Sequence, residues 1–315
     1  AATAVGYAAG CNAQGASAVA VGNQAGSASQ GVNATAVGYA AGLNAQGAQG
    51  TAVGHLAGYN TQGASAVAVG HLAGYSVQGA DSVAIGNSAG KLSQNTHAVA
   101  VGYLAGYNAQ AASSVAVGNS AGENAQGTNS VAIGINAGCG TQGGNCIAIG
   151  ASAGCTAQGA QGVAIGEQAG LADQGGNSVA IGRLAARNSQ GDNSVAIGNE
   201  AGCNAQTANS VAIGISAGRD NQSGGAVAVG QQAGLTSQGA GCTAMGHNAG
   251  FNAQGNYSTA LGYHAGHVSQ GTNSTALGGS AGLADQGHYA VAVGYQAGCT
   301  SQSDDAVAVG RQAGF

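Results

Sequence analysis

The sequence predicts an all-β chain folded as a parallel β-solenoid, or β-roll, of 20 rungs built on a sixteen-residue repeat. Three observations predict it. An Ala-aliphatic-Gly triplet recurs from Gly6, Gly22 and Gly38 to Gly294 and Gly310 at a constant sixteen-residue interval, without insertion or deletion. Each copy holds one short run that alternates like a strand, as in Ser130-Val131-Ala132-Ile133. The composition, with 62 Gly, no Pro, no Trp and 5% charged residues, excludes the core of a conventional globular enzyme and leaves stacked repeats as the means of burying apolar surface.

With the triplet glycine numbered zero, the elements follow in order. Position −3 is always β-branched (Val19, Thr51, Ile147, Val307), −2 is always Ala, and −1 is Val, Ile, Leu or Met. This is the strand, with Val131 and Ile133 on one face and Ser130 and Ala132 on the other. A helix competes, because Gly at 0 and +4 forms a small-xxx-small pattern. Two or three glycines per repeat, at about 1 kcal/mol each relative to Ala, count heavily against it. Gly recurs at +4 in every copy except the one carrying Ala186, and Gln occupies +8 in every copy that reaches it. The corners are expected at Gly-x-x-Ala-Gly and at Gln-Gly, where glycine supplies positive φ or a close backbone approach. At ~3.3 Å per residue, the repeat allows two short strands and two turns per rung.

Stacked rungs place like positions above one another. A structural ladder is therefore expected at Val131, Ala132, Ile133 and Gly134, and an amide ladder at Gln14, Gln30, Gln126, Gln142 and Gln302, each side chain donating to the next rung. The core is expected to be thin: two aliphatic residues per rung plus Ala. The small Ala/Ser face is expected to pack against another chain or against the opposite wall of a flattened coil. Residues 1–315 read as a single uninterrupted solenoid without capping repeats, a segment of a longer fibre.

Function classes fall away on charge and spacing. Five Lys+Arg against ten Asp+Glu, scattered singly, give no basic stripe for nucleic acid or anionic lipid. No apolar run long enough to span a bilayer and no charged n-region with an apolar h-region is present, so no membrane span is expected in this segment. Catalytic residues, metal sites and cofactors are not expected, because the unusual side chains are spread over variable positions of the repeat. His264 and His267 have H-x-x-H spacing but no Cys or carboxylate in their rung, and read as solvated surface side chains. The glycines at 138, 140 and 143 match a dinucleotide fingerprint without any βαβ unit around them.

Five of the seven Cys sit at +5 (Cys11, Cys139, Cys155, Cys203, Cys299), whereas Cys146 and Cys242 fill the small slot before the strand. The cysteines read first as small-residue filling without bonds; the alternative is one ladder disulfide, for which only Cys139 and Cys155 are same-column neighbours within range. Tyr59, Tyr75 and Tyr107 at +5 and Tyr103 at +1 lie in aromatic columns. They could bind sugar rings or protein, or pack in a groove between chains.

The strings NSVAIG at 129–134, 177–182, 193–198 and 209–214, with DSVAIG at 81–86, resemble the YadA-like head repeat of trimeric autotransporter adhesins. Similar AIG-x-x-AG strings occur in phage tail-fibre proteins. The resemblance extends over all 20 copies, although the unit here is longer than the family's usual one and the Gln-Gly corner is not its usual signature. It implies a left-handed roll, a homotrimer, and an extracellular or cell-surface location with host matrix or cell-surface glycan as partners. Self-association as a trimer or end-to-end filament is thus expected. The functional expectation is a structural extracellular fibre or adhesin shaft presenting variable residues; an ice- or glycan-binding solenoid is the alternative.

Overall fold

A computed structural model describes residues 1–314, in two compact units divided between 160 and 161. Both are parallel β-solenoids with a sixteen-residue turn and no helix among the described residues. Each unit carries ten copies of a first strand, Thr3–Val5 to Ile147–Ile149 in unit 1 and Val163–Ile165 to Val307–Val309 in unit 2. Like pairs with like in parallel register, for example Val131 with Ile147, Ala132 with Ala148 and Ile133 with Ile149. The second strand of the rung contains the Gln and likewise pairs Gln with Gln, as in Gln126 with Gln142 and Gln190 with Gln206.

The core differs from the sequence expectation. Ala at −2 and Ala at +3 are fully buried, as at Ala132 and Ala137, together with the small residue at −4 and the Gln at +8. Val131 is half-buried and Ile133 remains 39% exposed. The aliphatic pair therefore lines the outside of the rung, and the Ala/Ser face closes on the opposite wall of the coil. The physical reason is width: two walls joined by short corners leave room for methyl and hydroxyl groups, not for two branched side chains from one side.

What bridges the two walls is the glutamine. Gln126 Nε2 donates to the Val115 carbonyl at 2.7 Å, reaching across the interior from the second strand to the first, and to the Ser130 carbonyl at 3.3 Å. The same cross-brace recurs at Gln14 (Thr3 O, 2.8 Å), Gln30 (Val19 O, 2.7 Å), Gln142 (Val131 O, 3.1 Å) and Gln302 (Val291 O, 2.9 Å). Amide-to-amide donation to the next rung, the bond expected from the sequence, is the additional link, as in Gln110 to Gln126 at 3.2 Å. A buried amide requires such partners, since each buried polar group left unpaired costs about 1–3 kcal/mol. Ser at −4 is satisfied in the same way: Ser130 Oγ donates to the Gly143 carbonyl at 2.7 Å, and Cys146 takes that role toward the Gly159 carbonyl at 3.0 Å.

Glycine is indispensable at two places. Gly134 has φ of +128°, and a Cβ there would lie 2.7 Å from the Gly150 carbonyl oxygen of the next rung. A Cβ on Gly106, at +4, would lie 2.6 Å from Oε1 of Gln110, so this column leaves the space the amide occupies. The corners also use left-handed residues that are not glycine, at +2 (Leu56, Ser120, Gln168) and at +11 (Ser65, Asn129, Asn193), with φ between 54° and 57° for five of these six and 52° for Ser120. No β-branched residue occupies either position anywhere in the chain, which is the steric requirement for that conformation.

The Gln side of the rung takes two forms. In unit 1 the second strand is short, such as Ala109–Gln110, with +7 and +8 both paired to their equivalents. In unit 2 it begins one position earlier, such as Asn188–Gln190, with +6 and +8 paired and +7 left-handed.

Candidate functional site

The outward face of the first strand is the most continuous chemical feature of each unit. Positions −3 and −1 point out, and +1 continues the alternation beyond the corner glycine. Val131, Ile133 and Ile135 lie side by side in one rung, and Thr259, Leu261 and Tyr263 in another. Stacking extends the −3 and −1 positions into a stripe of Val, Ile, Leu, Met and Thr along each unit, whereas +1 mixes Ile and Tyr with polar residues such as Asn119, Glu167 and Arg183. Ile149, Ile213, Met245 and Leu277 stand 36–40% exposed in it. A contiguous exposed apolar surface of this kind marks an interaction face. Sequence reasoning missed it by assigning the aliphatic pair to the core; the signal was the alignment of −3, −1 and the large side chains of +1 on one side of the alternation.

The +1 column flanks the stripe with stacked rings. Tyr39, His55 and His71 stack at 5.1 and 5.2 Å between centroids, and His247 stacks on Tyr263 at 5.5 Å. On the far side of the corner, Tyr59 stacks on Tyr75 at 5.0 Å, and Lys91 Nζ lies 5.2 Å above the Tyr107 ring. Tyr103 is 53% exposed at +1. The stacked rings of Tyr39, His55 and His71, of Tyr59 and Tyr75, and of His247 and Tyr263 lie along the rung-to-rung direction, so their faces cover one another and their edges meet solvent. An edge cannot supply the open ring face on which a sugar stacks, which weakens the aromatic case for glycan binding.

His264 and His267 stack on each other at 4.7 Å, and His264 also meets Tyr263 and His247. Parallel rings direct their nitrogens alongside rather than toward one point, and among the described residues no group of three or more His, Cys, Asp or Glu could hold a metal ion. Burial, and then the neighbouring imidazole, hold both histidines below the ordinary value.

Cys139 and Cys155 form a disulfide between adjacent rungs, with Cα atoms 4.8 Å apart. Cys203 is buried, and that burial, followed by the charge of Glu200, pushes its thiol pKa up, away from nucleophile chemistry. Arg219 pairs with Asp220 at 2.8 Å and more loosely with Glu200 at 3.9 Å, and Arg183 lies 3.7 Å from Glu200. These are exposed pairs of small energetic weight. A shallow cavity of about 330 Å³ is lined by Asp173, Ser189, Ala205 and Thr207. Among the described residues no helix is long and apolar enough to cross a membrane.

Fold and face together define a class: a stacked-repeat parallel β-solenoid with an exposed aliphatic stripe along each unit. More particularly, parts of the chain are similar to the YadA head repeat. The family model described as "YadA head domain repeat (2 copies)" matches residues 124–137, 188–202 and 238–265, and the solenoid fits a YadA-like head. No curated protein matches the chain.

Proposed function

We propose that this chain is a structural part of an extracellular, cell-surface adhesin or fibre, in which three copies associate side by side through their outward aliphatic stripes. The observation that carries the proposal is the stripe itself: side chains such as Ile133, Ile213 and Leu277 remain 38–40% exposed on a chain whose interior is already filled by Ala and Gln. Burying such side chains against a second copy is worth roughly 25 cal/mol per Å² removed from water, repeated at every rung. The YadA head match supports trimeric self-association and a non-enzymatic, surface role. The sixteen-residue period runs through residues 1–315 unbroken, so we read both units as one repeated design.

In this reading the variable +1, +2 and +5 side chains, Tyr103 and Tyr107 among them, are what the fibre presents to host matrix, with the stacked Tyr59 and Tyr75 offering their edges rather than a face for glycan. The Gln column and the Val131–Gly134 segment serve the rod. The test is to place charge on the stripe. Ile133→Asp with Ile149→Asp and Ile213→Asp should reduce the sedimentation coefficient to that of a single chain while the β-sheet circular dichroism is retained. An unchanged coefficient would contradict the proposed interface.

A further inference from the structure

We infer that the peptide joining +6 to +7 is a two-position element of the rung, set by the side chains at +7 and held in common along a unit. In unit 1 the +7 N–H donates forward, to the +6 carbonyl of the following rung: Ala45 to Asn60 (2.9 Å), Thr61 to Ser76 (3.1 Å), Ala109 to Asn124 (2.9 Å) and Thr141 to Thr156 (3.1 Å). In unit 2 the direction is reversed, with Ser301 N–H donating backward to the Ala284 carbonyl at 3.1 Å. The φ angles agree. Throughout unit 2, from Asp173 to Ser301, the +7 position has φ between 49° and 57°, and among the described residues that position has no positive φ anywhere in unit 1.

Residue chemistry explains part of this. Val77, Thr61 and Thr141 are the β-branched members of the +7 column, and all three lie in unit 1. Branching at Cβ resists the left-handed region, whereas the Asp173, Asn221 and Asp285 of unit 2 tolerate it. Alanine shows that residue type is not the whole cause. Ala45, Ala109 and Ala125 sit in the forward form, whereas Ala205 and Ala253 have φ of 55°. An alanine therefore follows its neighbours. Hydrogen bonding supplies the coupling: a reversed peptide between two unreversed ones would face N–H to N–H on one side and C=O to C=O on the other, leaving backbone groups unpaired. A few decisive residues thus set the form for the indifferent Ala and Ser positions between them.

Glycine substitution at the exposed alanines of the full chain tests the setting with opposite signs. Ala205→Gly and Ala253→Gly relieve a left-handed alanine and should slow local amide exchange in their rungs about fivefold. Ala109→Gly and Ala125→Gly loosen an extended strand and should speed it about threefold. The same sign in both units would overturn the inference. The coupling is tested by Ser237→Val against the triple variant Ser237→Val, Ala253→Val, Ser269→Val, read by exchange at each rung. A single valine should raise exchange in the rungs on both sides, and the triple variant should cost less than three times the single one. Strictly local and additive effects would overturn the coupling.

Discussion

Units 1 and 2 are written in the same repeat and differ on one side only. The first strand is indistinguishable between them: Val99-Ala100-Val101 in unit 1 and Val227-Ala228-Val229 in unit 2 pair like with like and bury the central Ala completely. The Gln side differs in corner form and also in the continuity of its amide ladder. From Gln174 to Gln270 each Nε2 of unit 2 reaches the next Oε1 at 3.0–3.2 Å through six successive links. In unit 1 the links are interrupted more often: Oε1 of Gln30, Gln46, Gln62, Gln94 and Gln142 accepts no hydrogen bond among the described residues, against Gln174 and Gln286 in unit 2. The wall held by close glycine and alanine contacts has a single solution, and the wall held by a flexible side chain has two.

The largest effect should come from the shared wall. Gly134→Ala in unit 1 and Gly230→Ala in unit 2 each force a Cβ to 2.7 Å from the next carbonyl oxygen, at φ of +128° and +127°. Each should cost more than about 3 kcal/mol of local stability, equally in the two units, as read by hydrogen exchange.

The ladder should separate the units. Gln222→Leu removes donation to Val211 O and Ala226 O and both amide links, to Gln206 and Gln238, and should cost roughly 2–4 kcal/mol. Gln46→Leu removes donation to Thr35 O and Gly50 O but no amide link, and should cost about 1 kcal/mol less. Equal losses in thermal or denaturant unfolding would show that the amide-to-amide links contribute nothing beyond the cross-brace.

The smallest effect should be acid sensitivity at the stacked histidines of unit 2. His264 and His267 titrate below the ordinary histidine value in the folded chain, so the unfolded chain binds protons more readily. Their contribution is complete above about pH 6.5 and is lost as the pH falls through that value toward their depressed ones. The thermal midpoint should decline over that window, and His264→Asn with His267→Asn should flatten the decline.

Much of this was legible in the sequence, because a strict period turns one rung's pattern into twenty observations of it. The strand at Val131–Ile133, its alternation and the glycine at 134 follow from invariance and steric reasoning. Two features were hidden for different reasons. Which face of the strand turns inward depends on the width between two walls, a long-range quantity that Ser130-Val131-Ala132-Ile133 does not encode locally, and so Val131 and Ile133 were misplaced in the core. The left-handed residues at +2 and +11 are marked only by what never occurs there, namely Val, Ile and Thr, a signal weaker than a recurring glycine. The outward stripe became visible only once the interior was seen to be full without it.

If the filled rung leaves its aliphatic face for other copies of the chain, the stripe must be covered in solution. The direct measurement is the native mass of the full chain by light scattering coupled to size exclusion. The expected mass is three times the 29.3 kDa of one chain. A mass of one chain, with the stripe still open to solvent, would contradict that role for the face.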